Sequence, residues 1–381
     1  MNILRLVQNT LDNADAMKEA ARSRNPKVLW ALLAPAVRGL VLQRGKTAES
    51  SPMRASHDAH FDWMYTRDHP ELARLYDLAK KAQWNGDTDL DWSTDVDPEN
   101  PERELFPENL LPLAAINSYR TLSESKKRHQ RGALVSWMLS QFLHGEQGAL
   151  MAACQVTEAV QWLDGKLYGA TQVVDEARHV EVFHRYLHDK LGRLYQINDN
   201  LYVIIDSLMT DRRWDFKFLG MQIMIEGLAL GAFATLRSHT REPLLKQLLT
   251  YVIQDEGRHV HYGVVALRDY YRQLPEAERR EREDWAYELS LLMRNRFLAH
   301  EFYEEYYAHK MSRAEWNRLV LSSPYMDRFR TLMFKRLIPN LKKINLLSDR
   351  VRPHYEALGL LRWEHESDAT TVSAQELLEA A

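Results

Sequence analysis

Two stretches of this chain repeat one another. VVDEARHVEVF carries Asp175, Glu176, Arg178 and His179, and VIQDEGRHVHYG carries Asp255, Glu256, Arg258 and His259. Both contain Glu-x-x-His. Residues three apart share one face of a helix, so each stretch can present a carboxylate and an imidazole to the same ion. About one Glu-x-x-His arises by chance in a chain of this length, but here two copies share the longer frame Asp-Glu-x-Arg-His-Val. A second regularity accompanies the first. Thirty residues before Glu176, Glu146 stands in SWMLSQFLHGEQGALMAAC, and thirty before Glu256, Glu226 stands in FLGMQIMIEGLALGAF. The helix faces around them are apolar: Leu139, Phe142, Leu143, Ala149, Leu150 and Ala153 for the first, Leu219, Ile223, Ala229, Leu230 and Phe233 for the second. An ionised carboxylate on such a face is very costly unless it is paired or bound to a metal. Arg178 or Arg258 could satisfy one such glutamate, but the shared register of both points to a metal.

The rest of the chain agrees with a helical reading. Gly and Pro number only 15 and 13 in 381 residues, and apolar residues recur at three- and four-residue spacing. The spacing predicts long helices over Gln130–Leu163, Lys166–Leu191, Asp215–Ser238 and Pro243–Tyr271, with further helices from Glu276 to Lys343. We divide the chain into a helical N-terminal extension (1–84), an acidic Pro-rich loop (85–112), the metal-bearing bundle (113–275), additional C-terminal helices (276–350) and a polar tail (351–381), whose last stretch, Glu366 to Ala381, we expect to be frayed or loosely docked. The loop begins with Asp87, Asp89 and Asp91 at calcium-loop spacing. It has Trp92 where that loop requires glycine and Pro98 where it requires glutamate, so we read it as a solvated loop.

Composition removes several function classes. Lys plus Arg is 50 against 53 Asp plus Glu, a net charge of -3, which gives no general electrostatic reason for a nucleic-acid partner. The single cysteine, Cys154, excludes a disulfide framework and a cysteine-ligated zinc or iron–sulfur site. The N-terminus lacks the apolar run of a signal peptide. The apolar run Val28–Val37 is ten residues long, too short to span a membrane, and reads as a helix packed on the protein's own core or on a second subunit. We expect a cytoplasmic protein without a transmembrane segment.

Glu, then Glu-x-x-His, twice over, is the ligand pattern of ferritin-like di-iron and di-manganese bundles. Four carboxylates and two imidazoles neutralise two divalent ions, and this donor set suits iron or manganese better than copper. His-Glu-x-x-His is absent, and six ligands are too many for one open zinc site. Asp175 and Asp255 directly precede the ligand glutamates, where each can accept the free ring N–H of a histidine on the opposite helix. The fold expected is all-α, a ferritin-like four-helix bundle with additional N- and C-terminal helices.

On these residues the chain resembles the ribonucleotide-reductase-like branch of the ferritin superfamily, and most of all the hydroxylase subunits of bacterial multicomponent monooxygenases and related single-chain diiron oxygenases. The resemblance covers roughly residues 130 to 271. It implies that Glu146, Glu176 and His179 hold one metal and Glu226, Glu256 and His259 the other, with Glu176 and Glu256 bridging. It further implies two Fe, or a mixed Mn/Fe pair, reductive activation of O2, oxidation of a small or apolar organic substrate, and a homodimer. The chain departs from these relatives in three places. Phe183 replaces the radical-forming tyrosine of ribonucleotide reductase, Leu230 replaces the monooxygenase threonine, and Val252 replaces the third histidine of arylamine N-oxygenases.

Phe142, Phe183, Met224, Leu230 and Phe233 are candidates to line an apolar substrate pocket. No Gly-x-Gly-x-x-Gly follows a strand and no cysteine cluster exists, so an external electron donor, a ferredoxin or reductase, is expected. The alternatives are an N-oxygenase or desaturase of a biosynthetic intermediate, a ferritin-like ferroxidase without organic substrate, and a structural helical protein whose repeat is coincidental.

Overall fold

The computed structural model describes residues 3–14, 25–47 and 50–378, and no strand occurs among them. The expected N-terminal extension and tail therefore lie partly outside the described residues. In chain order, and leaving aside single turns, the N-terminal helices are α1 (Ile3–Asp12), α2 (Pro26–Ala36) and α3 (Pro70–Lys81). The centre of the chain forms α4 (Glu124–Ala159), α5 (Leu163–Arg185), α6 (Asp199–Thr210), α7 (Trp214–His239) and α8 (Pro243–Gln273). The C-terminal third forms α9 (Glu276–Asn295), α10 (His300–Tyr306), α11 (Arg313–Ser322), α12 (Pro324–Met333), α13 (Leu337–Lys343), α14 (Arg352–Ala357) and α15 (Ala374–Leu378).

Helices α4 and α5 pack as a hairpin, as do α7 and α8. The hairpins meet through α5 against α8 and α4 against α7. The result is a ferritin-like four-helix bundle with added helices at both ends. Local chemistry starts each helix where it must start. Glu242 caps α8 by accepting from the N–H groups of Leu244 (2.9 Å) and Leu245 (2.6 Å), and Pro243 occupies the first turn, where its missing N–H costs nothing. Helix α7 is long and apolar enough to cross a membrane by length and composition alone, but its apolar window is wholly buried inside the bundle. Its middle, Leu219–Glu226, winds as a π-helix and ends on the predicted metal ligand. Such widened turns recur at functional sites because they re-aim the side chains that follow.

Four expectations need correction. Helix α6 has no counterpart in the sequence reading. Nearly every residue of DNLYVIIDSLMT is buried, so it lacks the two-faced pattern that marks a surface helix. The acidic loop is not simply solvated: Leu90, Val96, Leu105, Phe106 and Leu111 are buried against the bundle, while Asp87, Asp89, Asp91 and Asp95 stay in water. The tail is not loosely docked as far as Leu378. Leu377 is buried, and its Cδ1 would stand 2.4 Å from a Cβ added at Gly257 on α8. The N-terminal extension is helical only in part, since residues 50 to 69 run without regular structure.

Candidate metal centre

Each of the four bundle helices delivers its predicted residues to one place. Glu146 comes from α4, Glu176 and His179 from α5, Glu226 from α7, and Glu256 and His259 from α8, and all six are buried. They form two overlapping groups whose ligand atoms lie within 4.8 Å of one another: Glu146, Glu176, His179 and Glu256 in one, Glu176, Glu226, Glu256 and His259 in the other. Glu176 and Glu256 belong to both. The Nδ1 atom of each histidine points inward. His179 Nδ1 is 3.2 Å from Glu146 and from Glu256, and His259 Nδ1 is 3.0 Å from Glu176. The two rings stand 6.0 Å apart.

The outer ring nitrogens face aspartates of the opposite helix. His179 Nε2 lies 3.1 Å from Asp255 and His259 Nε2 lies 3.3 Å from Asp175. With Nε2 carrying the proton, Nδ1 is left as the free donor to a metal. Arg178 donates to Asp175 (2.5 Å) and to Asp255 (3.2 Å), and Arg258 donates to Asp255. Gln83 and Trp84, just beyond α3, complete the belt by donating to Asp175 (3.0 Å) and Asp255 (2.7 Å). Sequence reasoning missed both, because they lie far away in the chain and inside no motif. Gln172 was missed as well. Its amide donates to Glu176 (3.2 Å) and Glu226 (3.0 Å) and accepts from Gln222 (3.2 Å). One signal was available: Gln172 is a polar residue one turn before Glu176 on the same face.

Electrostatics show that the cluster calls for cations. Burial, then the charge of Glu256, pushes Glu146 and Glu226 well above the usual carboxylate range. Burial opposes charge on His259, but Glu176 and Glu256 outweigh it and hold the ring well above its ordinary value. His179 is raised in the same way by Asp255 and the surrounding glutamates. Five atoms of the set, Glu176 Oε2, Glu226 Oε2, both Glu256 oxygens and His259 Nδ1, are buried without any hydrogen-bond partner. Buried carboxylate oxygens are rarely left so, and two divalent cations would satisfy them all. The residues present fit a dimetal centre.

A small cavity opens beside the cluster, lined by Phe142, Gly145, Ala149, Ala229 and Phe233 together with Glu146, Glu226, Glu256 and Arg296. Of the five predicted pocket residues, Phe142 and Phe233 reach it. Phe183 does not; it packs behind Phe233, with ring centroids 5.7 Å apart. Met224 and Leu230 are buried in the core away from the cavity wall, because Ala229 and Phe233, three and seven residues after Glu226, form the face that turns inward. The two histidines nearest the ligands in sequence stay outside the centre: His144 bonds to the Tyr195 carbonyl (2.8 Å) and His261 to Glu71 (3.2 Å).

No known family model matches this sequence, and neither does any curated protein. Among solved structures the chain is similar to a variant of an R2-like ligand-binding oxidase with an aerobically reconstituted Mn/Fe cofactor. The identity is 18% and the TM-score 0.48, over 77% of this chain and 100% of that one. An R2-like ligand-binding oxidase with an aerobically reconstituted metal cofactor after photoconversion is similar at 19% identity and TM-score 0.47, over 75% and 96%.

Proposed function

We propose that the protein is a non-heme dimetal oxidase or oxygenase, using O2 and electrons from an external ferredoxin or reductase to oxidise a small organic substrate. Glu146, Glu176 and His179 would hold one ion and Glu226, Glu256 and His259 the other, as two Fe or an Mn/Fe pair. The observation that carries this reading is the set of five orphaned donor atoms, all converging on one buried place. Bound there, a pair of reduced metals supplies electrons and open coordination positions for O2.

The chain's own residues do the rest. Glu176 and Glu256, shared by both groups, would set the spacing between the ions. Asp255 and Asp175 keep the ring protons of His179 and His259 on the outer nitrogens, which raises the basicity of the inner ones. Gln172 holds one oxygen of Glu226 and so leaves the other to bind. Phe142 and Phe233 keep the cavity wall dry. The absence of a second cysteine suits a reducing, cytoplasmic setting. Leu29, Trp30, Leu33 and Val37 leave an apolar strip exposed on and just after α2 that a second copy of the chain would cover.

The test is reconstitution of the full chain with Fe(II) under argon, followed by O2. We expect about two antiferromagnetically coupled irons per chain by metal analysis and Mössbauer spectroscopy, lost in Glu146→Ala and His259→Ala while circular dichroism stays helical. Protein that folds but takes up neither iron nor manganese would sink the proposal. Substrate-dependent O2 consumption separates an oxygenase from a ferroxidase.

A further inference from the structure

Arg296 is the odd member of the cavity. It sits in the 3-10 turn Arg296–Leu298 after α9, immediately before Ala299, whose left-handed backbone (φ 50°) swings the chain into α10. The residue is 3% exposed, with its Cζ 4.9 Å from the Phe297 ring, yet its Nε and one terminal nitrogen are buried without a hydrogen-bond partner, and among the described residues no carboxylate pairs with it. Burial alone lowers its pKa, to about 10, so the guanidinium stays charged at neutral pH. Buried charges are paired in nearly all proteins because an unpaired one is so costly.

Charge accounting sharpens the point. Two divalent ions match the four ligand glutamates. Asp175 and Asp255 are matched by Arg178 and Arg258, which touch them. Arg296 is left over on the wall of the same cavity that Glu146, Glu226 and Glu256 also line. The space beside it is small, about 20 Å³, and a Cβ added at Gly145 would meet no atom within 4 Å. The remaining walls are Phe142, Ala149, Ile225, Ala229 and Phe233, all apolar, and Gln141, whose amide donates to the Gln196 carbonyl and accepts from the Asn198 N–H.

We infer that the cavity takes a small monocarboxylate, its carboxylate paired bidentately with Arg296 and its apolar carbon frame held against Phe142 and Phe233, facing the metal-ligand side. The inference rests on the dimetal reading, since without the ions the four glutamates would themselves compete for the guanidinium. A planar fork of N–H donors suits a carboxylate, and the single spare charge calls for one anionic group rather than two. The pairing would also select: an amide or alcohol of the same shape leaves the buried cation unpaired.

The experiment titrates formate, acetate, propionate and butyrate, and the corresponding amides, into Mn(II)-loaded full-length protein under argon, by calorimetry, with manganese content measured on the same samples. At least one acid should bind ten times more tightly than its amide. Arg296→Met should weaken that acid at least tenfold while retaining manganese, and Arg296→Lys should lose less. Acids and amides binding alike in the wild type would overturn the inference without recourse to any variant, as would an Arg296→Met protein that binds the acid within twofold of wild type, because the anion would then be held by the metals alone. Failure to bind manganese and, in parallel samples, iron would overturn the dimetal reading, and this inference with it, and is read independently of the titration.

Discussion

Arg313 donates to Nδ1 of His300 (2.7 Å), and Nε2 of that ring lies 2.7 Å from the Asn317 side-chain oxygen. Both nitrogens are committed to a neutral imidazole, and burial, reinforced by the Arg313 charge, pushes the ring down to about 3. The unfolded chain takes up this proton below about pH 6.5 and the folded one does not, so stability is full above 6.5 and falls as the pH drops toward 3. Each pH unit in that window costs about 1.4 kcal/mol from this residue. His300→Gln should flatten the pH dependence of urea unfolding between pH 6.5 and 4.5, and an unchanged slope would refute the assignment. His179 and His259 are shifted the opposite way because carboxylates surround them. Sequence alone shows a histidine in all three places and cannot show its neighbours, which decide the sign.

Helices α7 and α12 approach so closely that a Cβ at Gly231 would stand 2.6 Å from Met333 Cα and 2.8 Å from its carbonyl oxygen. Those are backbone atoms and cannot swing aside. Gly231→Ala should therefore destabilise the protein by about 1–3 kcal/mol in chemical denaturation and lower metal occupancy, since α7 carries Glu226. Gly145→Ala makes the contrast. Its Cβ enters open space, so the helix-propensity gain of about 0.5–1 kcal/mol should appear as added stability, with the cavity narrowed. The ligand helices were legible from sequence because each is long and carries its Glu or Glu-x-x-His in the repeated thirty-residue register. Their observed ends lie within about six residues of those expected, an error familiar from fraying and capping. The π-helical stretch of α7 was not legible, because nothing in LGMQIMIE distinguishes a widened turn from a regular one. Packing against α6, α8 and α9 selects it.

For the molecule as a whole, metal and fold are linked. Four buried glutamates converge on one point, so ions that bind the native state and not the unfolded chain stabilise it by about 2.7 kcal/mol when free metal is a hundred times Kd. Chelator-treated protein should melt at a lower temperature, with Mn(II) or Fe(II) restoring it. Glu176→Ala combined with Glu256→Ala should melt at one temperature with or without metal, and a persistent metal effect in that variant would show binding elsewhere. The N-terminal extension and the loop belong to this same unit, for they place Gln83 and Trp84 on the aspartates behind the ligand histidines. The pattern of donors was readable in the chain itself, because Glu-x-x-His geometry is set by the helix repeat and a buried carboxylate in an apolar face must find a cation. The face of α7 that meets the cavity, the belt of Gln83, Trp84 and Gln172, and the unpaired charge of Arg296 depend on residues as far as 171 positions apart. No local rule couples such distant positions; only packing of the whole chain brings them together, and with them the shape and charge of the space where a substrate would lie.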